Sequence, residues 1–314
     1  MQEIFLGEVI RQKRLELGLT QEQVCEGICD PITISRIENG KQTPNRTRIN
    51  AILERLDLPA DRYWAMLSKN ELEIEALQKQ ITEFNVQFEH ASKNERPAIR
   101  KAAFENHQKL EAMIEKGDTV SRQMILRSRV LLGKESEYSI QEQRAMLMDA
   151  IRLTVPSFDI DEIGKSLYTS EEIKIINLLA TGFSRAGEHM EAISILSQLC
   201  GYIRKHFKDI PVNRTHFSMI AYNYARELGI IGQYEKAIQI AEEGRAECLA
   251  SGYHLPMPRL LDVMAECYYY LGDEEKSRDL FYQSYYLFKA FGDGHNRELV
   301  KKDAQRCINL VFEG

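Results

Sequence analysis

The chain has 314 residues, of which 44% are hydrophobic and 28% are charged, and its formal net charge is −6. This length suits two or more domains with a large core, and the acidic balance argues against nonspecific coating of DNA. No run of about 18 apolar residues predicts a membrane span, and the first residues lack the basic and apolar regions of a secretory signal, so we expect a cytoplasmic protein without a membrane partner.

A small helical bundle is predicted for residues 1–67. Apolar residues recur at helical spacing over Leu6–Leu17 and over Thr47–Leu56. Pro59 and Asp61 predict the start of a short fifth helix, over Asp61–Leu67, which carries the only tryptophan of the chain.

Two further short helices, over 21–28 and 31–38, are predicted inside this bundle. Thr20 is a suitable N-cap for the first, and Asp30 caps the second, with Pro31 at its first position. Asn39-Gly40 is a typical C-terminal stop. Two short helices joined by a tight turn predict a helix-turn-helix, whose second helix would enter the major groove of DNA.

The rest of the chain is predicted to consist of helix pairs. Residues 68–117 are interpreted as a linker and first helix pair, with Pro97 opening the second helix. From 118 to 314 a pattern repeats around Gly187, Gly232 and Gly272, each of which would end one helix before a second helix begins.

This repeat resembles the tetratricopeptide repeat, although its glycines are spaced more widely than the standard period of about 34 residues. The extra length is expected in longer helices and in loops such as Pro211–Asn213. A final helix over Asn296–Phe312 would cap the stack, and no segment alternates with the period of a strand. The predicted fold is all-α: a helix-turn-helix bundle followed by a right-handed tetratricopeptide-like α-solenoid with a C-terminal capping helix.

The order of these parts is similar to that of a known family. The run Thr20-Gln-Glu-Gln23, followed by Ile34-Ser-Arg-Ile-Glu-Asn-Gly-Lys41, resembles the Xre/Cro-type repressors. Such a domain ahead of tetratricopeptide-like pairs resembles the Rgg/PlcR-like (RRNPP) peptide-pheromone receptors of Gram-positive bacteria. The resemblance implies a homodimeric, quorum-sensing transcription regulator that binds a double-stranded DNA operator and a short signalling peptide, with peptide binding and dimerisation in the repeats.

The candidate DNA contacts lie on and beside the predicted recognition helix. Arg36 is the best candidate for a guanine or phosphate contact, whereas Pro31 and Ile32 can only pack on thymine methyl groups. Gln21 and the segment from Asn39 suit phosphates. The full set is Gln21, Pro31, Ile32, Thr33, Ser35, Arg36, Asn39, Lys41 and Arg46. Arg14 and Glu38 match a structural pair between the first and third helices of similar domains.

The candidate peptide contacts are taken from the predicted inner face of the repeat helices. Asn177 and Asn223 are singled out because an amide can both donate to and accept from a peptide backbone, and the family resemblance points the same way. The full set is Lys174, Asn177, Thr181, Arg185, Met219, Tyr222, Asn223, Arg226, Arg259, Asp262, Glu266 and Tyr269.

The sequence carries no recognisable motif for catalysis or for metal or cofactor binding. The chain contains no nucleophile elbow, P-loop or zincin motif, and its six cysteines lack zinc-ligand spacing. We therefore expect no enzyme, metal or cofactor. Two alternatives stay open: a helix-turn-helix regulator whose repeats dock another protein, and, more remotely, a phosphatase-like regulator of response-regulator proteins.

Overall fold

The computed structural model of the chain describes residues 6–42, 46–58, 69–133, 137–206 and 211–312. The chain divides into two compact units, Met1–Phe88 with Pro97–Leu178, and Glu89–Arg96 with Leu179–Gly314. Every regular element in the described ranges is helical. The all-α class expected from the sequence is confirmed.

The first unit holds the helix-turn-helix bundle and several longer helices. Its elements are α1 (Leu6–Glu16), α2 (Gln21–Cys25), α3 (Pro31–Glu38), α4 (Arg46–Arg55), α5 (Lys69–His90), α6 (Arg96–Met113), α7 (Thr119–Gly133), α8 (Ile140–Arg152), a 3₁₀ turn (Ile163–Lys165) and α9 (Ser170–Arg185). Helix α9 begins in the first unit and ends in the second. The short helix expected over Asp61–Leu67 lies outside the described residues.

The first four predicted helices of the bundle are confirmed, with one clear difference in length. Helix α2 ends at Cys25, not at residue 28, because Glu26 leaves the helical region at φ −50°, ψ 124° and Gly27 adopts a left-handed φ of +68°. The capping prediction holds at Thr20, whose side chain accepts from the backbone N–H of Gln23 and whose own N–H donates to the Gln23 side chain. This reciprocal pair satisfies two backbone donors at the start of α2.

Branched apolar side chains from each of the four short helices form the core of the bundle. Ile10 of α1, Val24 of α2, Ile34 of α3 and Ile52 of α4 are all fully buried. Burying each such side chain is worth about 1.5–3 kcal/mol relative to leaving it exposed. The core therefore fixes which face of α3 points away from the bundle.

The second unit is a succession of helices that pack in chain order. After α9 come α10 (His189–His206), α11 (Pro211–Ile230), α12 (Tyr234–Ser251), α13 (Met257–Tyr270), α14 (Glu274–Ala290) and α15 (Gly294–Ile308). Within this group each helix from α10 onwards packs against the next.

The repeating glycine predicted from the sequence is confirmed at three helix ends. Gly187, Gly232 and Gly272 follow α9, α11 and α13 at φ +81°, +80° and +82°. Only glycine adopts this left-handed region without steric cost. A residue in this conformation ends one helix and turns the chain into the next. The same backbone geometry recurs because the same turn is made each time.

The prediction of a loop at Pro211–Asn213 is wrong. Helix α11 begins at Pro211 and runs to Ile230, so this part of the wide repeat spacing is helical. Proline is well accommodated at the first helical position, where its missing N–H would have no partner in any case. The final helix is also placed differently, since α15 begins at Gly294 and ends before Asn309, whose φ is +52°.

Candidate nucleic-acid interface and ligand cavity

The start of helix α3 is fixed by its N-cap residue, Asp30. The Asp30 carboxylate accepts from the backbone N–H of Thr33 at 2.7 Å and from its hydroxyl at 3.0 Å. These hydrogen bonds to the charged form lower the pKa of Asp30. Pro31 occupies the first helical position. The cap stays ionised at neutral pH and compensates the free N–H groups at the start of the helix.

The outward face of α3 is exposed, while its inward face is packed. Ile34 and Ile37 are buried in the bundle core. Ile32 is 64% exposed, and Arg36 is exposed one helical turn further along. An exposed isoleucine beside an arginine can offer both an apolar contact and a bidentate donor to the edge of a base pair.

Some of the candidate DNA contacts are engaged inside the protein. The Gln21 amide donates to Oε2 of Glu38 at 2.7 Å, and the Asn39 amide donates to the backbone oxygen of Ser35 at 2.7 Å. Arg46 forms an ion pair with Glu75 at 3.2 Å. Pro31, Ile32, Arg36 and Lys41 are exposed, whereas Thr33 and Ser35 are half-buried. The role of the full set in DNA binding remains a prediction.

The expected pair between the first and third helices is confirmed. Arg14 Nε donates to Glu38 Oε1 at 2.6 Å, and Arg14 Nη2 donates to Glu38 Oε2 at 2.9 Å, giving a bidentate contact between two buried residues. Arg14 also donates to the backbone oxygen of Leu19. This pair holds α1 against α3 and so fixes the orientation of the recognition helix.

Arg55, the last residue of α4, joins the bundle to the helices that follow it in the same unit. Its Nη1 donates to the backbone oxygens of Val24 at 3.3 Å and Glu26 at 2.5 Å. Its Nη2 donates to the backbone oxygen of Thr154 at 2.8 Å and to Oε1 of Glu172 at 3.2 Å. The arginine and glutamate side chains are only 2% and 0% exposed, so bulk salt screens this pair very little.

Further hydrogen bonds close the network around Glu172. The Thr154 hydroxyl donates to Oε1 of Glu172, and the backbone N–H of Thr169 donates to Oε2 at 2.6 Å. The Gln123 amide donates to the Thr154 hydroxyl. Both oxygens of the buried carboxylate are thereby satisfied, which is the condition for keeping a charge away from water. Sequence reasoning missed this network, since no local pattern relates residues so far apart along the chain.

Gly27 lies at the closest backbone approach in this junction. A Cβ atom at this position would stand 2.2 Å from the Cα and from the carbonyl oxygen of Thr154. The Thr119 hydroxyl donates to the carbonyl oxygen of Gly27. Both its φ and the lack of space require glycine, so the turn before the recognition helix is matched to the end of α8.

A cavity of about 670 Å³ opens in the second unit. Its walls come from α11, α13, α14 and α15 and from Tyr234, the first residue of α12. This volume lies in the range of small-ligand sites and is sufficient for part of a short peptide.

Five of the twelve candidate peptide contacts line this cavity: Tyr222, Arg226, Arg259, Asp262 and Glu266. Met219, Asn223 and Tyr269 belong to the same helices but not to the cavity wall, and Asn177, Thr181 and Arg185 lie on α9, also outside that wall. Lys174 lines a smaller cavity of about 190 Å³ in the first unit. The role of the full set remains a prediction.

Helix α15 supplies cavity residues that the sequence analysis assigned only to a cap. Asn296, Leu299, Asp303 and Arg306 also line the cavity. Their spacing of three or four residues places them on one helix face. That spacing was readable in the sequence, but nothing indicated that the face of a terminal helix would border a cavity.

The carboxyl groups of the cavity have perturbed pKa values. Burial, together with Glu266 and Asp303, raises the pKa of Asp262 well above its ordinary value. Burial also raises the pKa of Glu266 and of Asp303, against the opposing effect of Arg306. Several like charges held near one another in a partly dry space explain these directions.

The comparisons with known proteins match the bundle by sequence and most of the chain by fold. Residues 10–62 match the family described as Helix-turn-helix. The bundle is a helix-turn-helix domain. The match covers this domain alone, and no sequence among the curated proteins matches the chain significantly.

Solved structures resemble nearly the whole chain. The structure of Bacillus thuringiensis PlcR in complex with the peptide PapR7 and DNA has a TM-score of 0.58 at 17% identity, covering 94% of this chain and 98% of that one. The apo form of the same protein gives 0.53 at 16% identity, with 94% and 97% covered. The competence regulator ComR from Streptococcus vestibularis, in complex with its cognate signaling peptide XIP, gives 0.52 at 11% identity, with 96% and 97% covered.

These likenesses show that the helix-turn-helix domain and the helices after it have the fold of those regulators, as the sequence analysis expected. None of the helices in the described ranges has both the length and the apolar character needed to cross a lipid bilayer.

Proposed function

We propose that the chain is a cytoplasmic transcription regulator that binds operator DNA through α3 and a short signalling peptide through the second unit. The observation that carries the proposal is the exposed outward face of α3, with Ile32 and Arg36, on a helix whose other face is fixed in a packed core. DNA-binding domains of this kind usually place a rigid helix in the major groove, with one exposed face that carries both polar and apolar side chains.

Support for the peptide comes from the cavity in the second unit and from the fold. The solved relatives include one described in complex with a peptide and DNA and one with its cognate signaling peptide. In this chain the cavity combines tyrosines with charged groups, as a site for a peptide requires. We propose that peptide binding changes operator affinity and that the chain itself catalyses no reaction.

A homodimer is part of the proposal. Helix-turn-helix domains commonly bind two half-sites, separated by about one helical turn of DNA, as two-fold symmetric dimers. Light scattering of the full chain, with and without operator DNA, measures the stoichiometry directly. A footprint covering one half-site only, or a 1:1 complex, would contradict the dimer.

The function is tested by operator binding with the full chain. Fluorescence anisotropy is measured on DNA from upstream of its own gene, and repeated with synthetic peptides encoded by adjacent short reading frames. We expect specific binding whose affinity changes when the correct peptide is added. Specific binding that ignores every peptide would favour the alternative in which the repeats dock another protein. No specific binding would refute the DNA-binding role.

A further inference from the structure

One carboxyl group in the cavity of the second unit lacks a partner. Asp262, on α13, lines the cavity and is partly exposed there. Its Oδ1 atom is buried and has no hydrogen-bond partner among the described residues. Buried polar atoms are almost always satisfied in folded proteins, and an exception calls for an explanation such as a ligand.

The neighbouring cation is already used by other carboxylates. Arg306 of α15 forms ion pairs with both Glu266 and Asp303, the second at 3.0 Å. One guanidinium thus serves two carboxylates. Neither of these ion pairs includes Asp262.

The remaining two arginines of the cavity wall have other neighbours. The Arg259 guanidinium lies over the Tyr222 ring, 5.7 Å from its centroid. Arg226 lies 3.4 Å from a carboxylate oxygen of Glu227, the residue beside it. In the part of the chain that the structure describes, neither forms an ion pair with Asp262. Asp262 is therefore the one acidic group of the cavity wall that forms no ion pair within the described residues, although the wall holds three arginines and three acids.

Apolar and aromatic side chains of the same cavity suit a flexible aliphatic chain. The rings of Tyr234 and Tyr270 stack at 5.0 Å with an interplanar angle of 10°, and Ile230 and Leu299 also line the cavity. Lysine and arginine bury their methylene groups along such apolar surfaces while the charged end finds a polar partner. Aromatic faces also attract cations.

We propose that the cavity binds a lysine or arginine side chain of the peptide ligand, whose cationic end pairs with Asp262. This inference rests on the proposed function, because it names the chemistry of the ligand that the second unit takes. A cation supplies donors to the unsatisfied oxygen and a counter-charge to a carboxyl group that has no ion pair. An apolar or acidic ligand residue would leave Asp262 without a partner.

The test is a selection of random heptapeptides on the immobilised full chain. We expect enriched peptides to share a lysine or arginine at one position. Titration calorimetry then compares the best of them with its analogue carrying norleucine for lysine or citrulline for arginine. The loss of the cation should weaken binding by about tenfold or more, as expected for a hydrogen bond to a charged group.

Asp262→Asn provides the matching change in the protein, because it keeps the shape of the side chain and removes its charge. We expect this variant to bind the cationic peptide about tenfold or more weakly and to lose most of the preference over the neutral analogue. The control is Asp279→Asn, an exposed aspartate of α14 outside the cavity wall, which should retain the preference.

The outcomes separate this inference from the proposed function. Enriched peptides without a shared cation, or an unchanged preference in Asp262→Asn, would overturn the inference and leave peptide binding intact. A selection that enriches no peptide at all would count against both.

Discussion

At the scale of single residues, Arg36 is the side chain on which specific DNA binding should depend most. It is exposed on the outward face of α3, beside the exposed Ile32. Arg36→Ala should reduce the affinity for the operator by about 1–3 kcal/mol, while nonspecific binding changes much less. Anisotropy with operator and scrambled DNA measures both.

The control for this change is Arg278→Ala, which removes the same charge from an exposed position on α14. It should leave both affinities unchanged. Equal losses on the operator and on scrambled DNA in Arg36→Ala would show that the residue contacts phosphate only.

Arg55 should dominate the stability of the first unit. Its guanidinium is buried against Glu172 and three backbone oxygens. Arg55→Ala leaves a buried carboxylate without its cation, so the free energy of unfolding should fall by about 3–5 kcal/mol. Urea denaturation followed by circular dichroism measures the loss.

The matched control is Arg129→Ala, which breaks the partly exposed pair with Glu111 in the same unit. Exposed pairs contribute only about 0–1 kcal/mol. If both variants lost stability equally, the buried Arg55–Glu172 pair would have no special role.

At the scale of elements, the turn between α2 and α3 is matched to the end of α8. Gly27 and Gly18 have nearly the same left-handed φ, +68° and +67°, but only Gly27 lies against another backbone. Gly18→Ala should therefore show the conformational cost alone, about 1 kcal/mol. Gly27→Ala should lose about 1–3 kcal/mol more, because Thr154 must move.

Urea denaturation of the two variants measures this difference without further controls, since the substitution and the backbone conformation are the same. Equal free energies of unfolding in the two variants would mean that the backbone after α8 moves aside at no cost, so that the close approach does not affect stability.

The carboxyl groups between α13 and α15 should make stability depend on pH. The pKa of Asp262 is raised in the folded chain above its ordinary value of 3.8 by burial and by neighbouring acids, with Arg259 and Arg306 opposing. Below about pH 3.8 the group is protonated in both states. As the pH rises, the unfolded chain releases its proton first, so the stability falls until the folded group also ionises.

Asp262→Asn lacks this titration and should become increasingly more stable than the wild type as the pH rises above 3.8. Each kcal/mol raises the melting temperature by about 2–4 °C. Calorimetry at several pH values measures the difference, with Asp279→Asn as the control for removing one negative charge. A constant difference across the range would contradict the raised pKa.

The helices were predictable from the sequence because their signals are local. Asp30 with Pro31 fixed the start of α3, and the glycines at 187, 232 and 272 fixed the ends of α9, α11 and α13. These residues act through their own backbone angles and nearest hydrogen bonds. Proline misled the prediction at residue 211, since it is compatible both with a loop and with the first position of a helix.

The sites were less predictable because they depend on residues that meet only after folding. Five cavity residues were found by counting along the repeat helices, but Asp303 and Arg306 came from a helix interpreted as a cap. The pairing of Arg55 with Glu172 spans more than a hundred positions. Contacts between residues this far apart leave no periodic pattern in the sequence.

At the scale of the whole molecule, the net charge of −6 should limit binding to DNA of unrelated sequence. Lys41 is exposed just after α3 and suits a phosphate. Lys41→Ala should weaken binding about equally on all sequences and reduce the slope of log affinity against log salt by about 1.

Anisotropy between 50 and 200 mM salt, about the range over which phosphate contacts are most evident, measures this slope. The exposed Lys165 provides the control, because Lys165→Ala removes the same charge from the 3₁₀ turn. A loss confined to the operator would instead assign Lys41 to a base contact.

The close fit of Gly27 against Thr154 has a consequence for engineering and for evolution. A chimera that joins the helix-turn-helix domain of another protein to residues 68–314 would bring in the side chain that this domain carries at the position of Gly27. Any Cβ atom at that position would clash with the backbone of Thr154. Specificity should therefore be transplanted by exchanging only the exposed positions of α3, and successful recombination between relatives should exchange the turn and the end of α8 together.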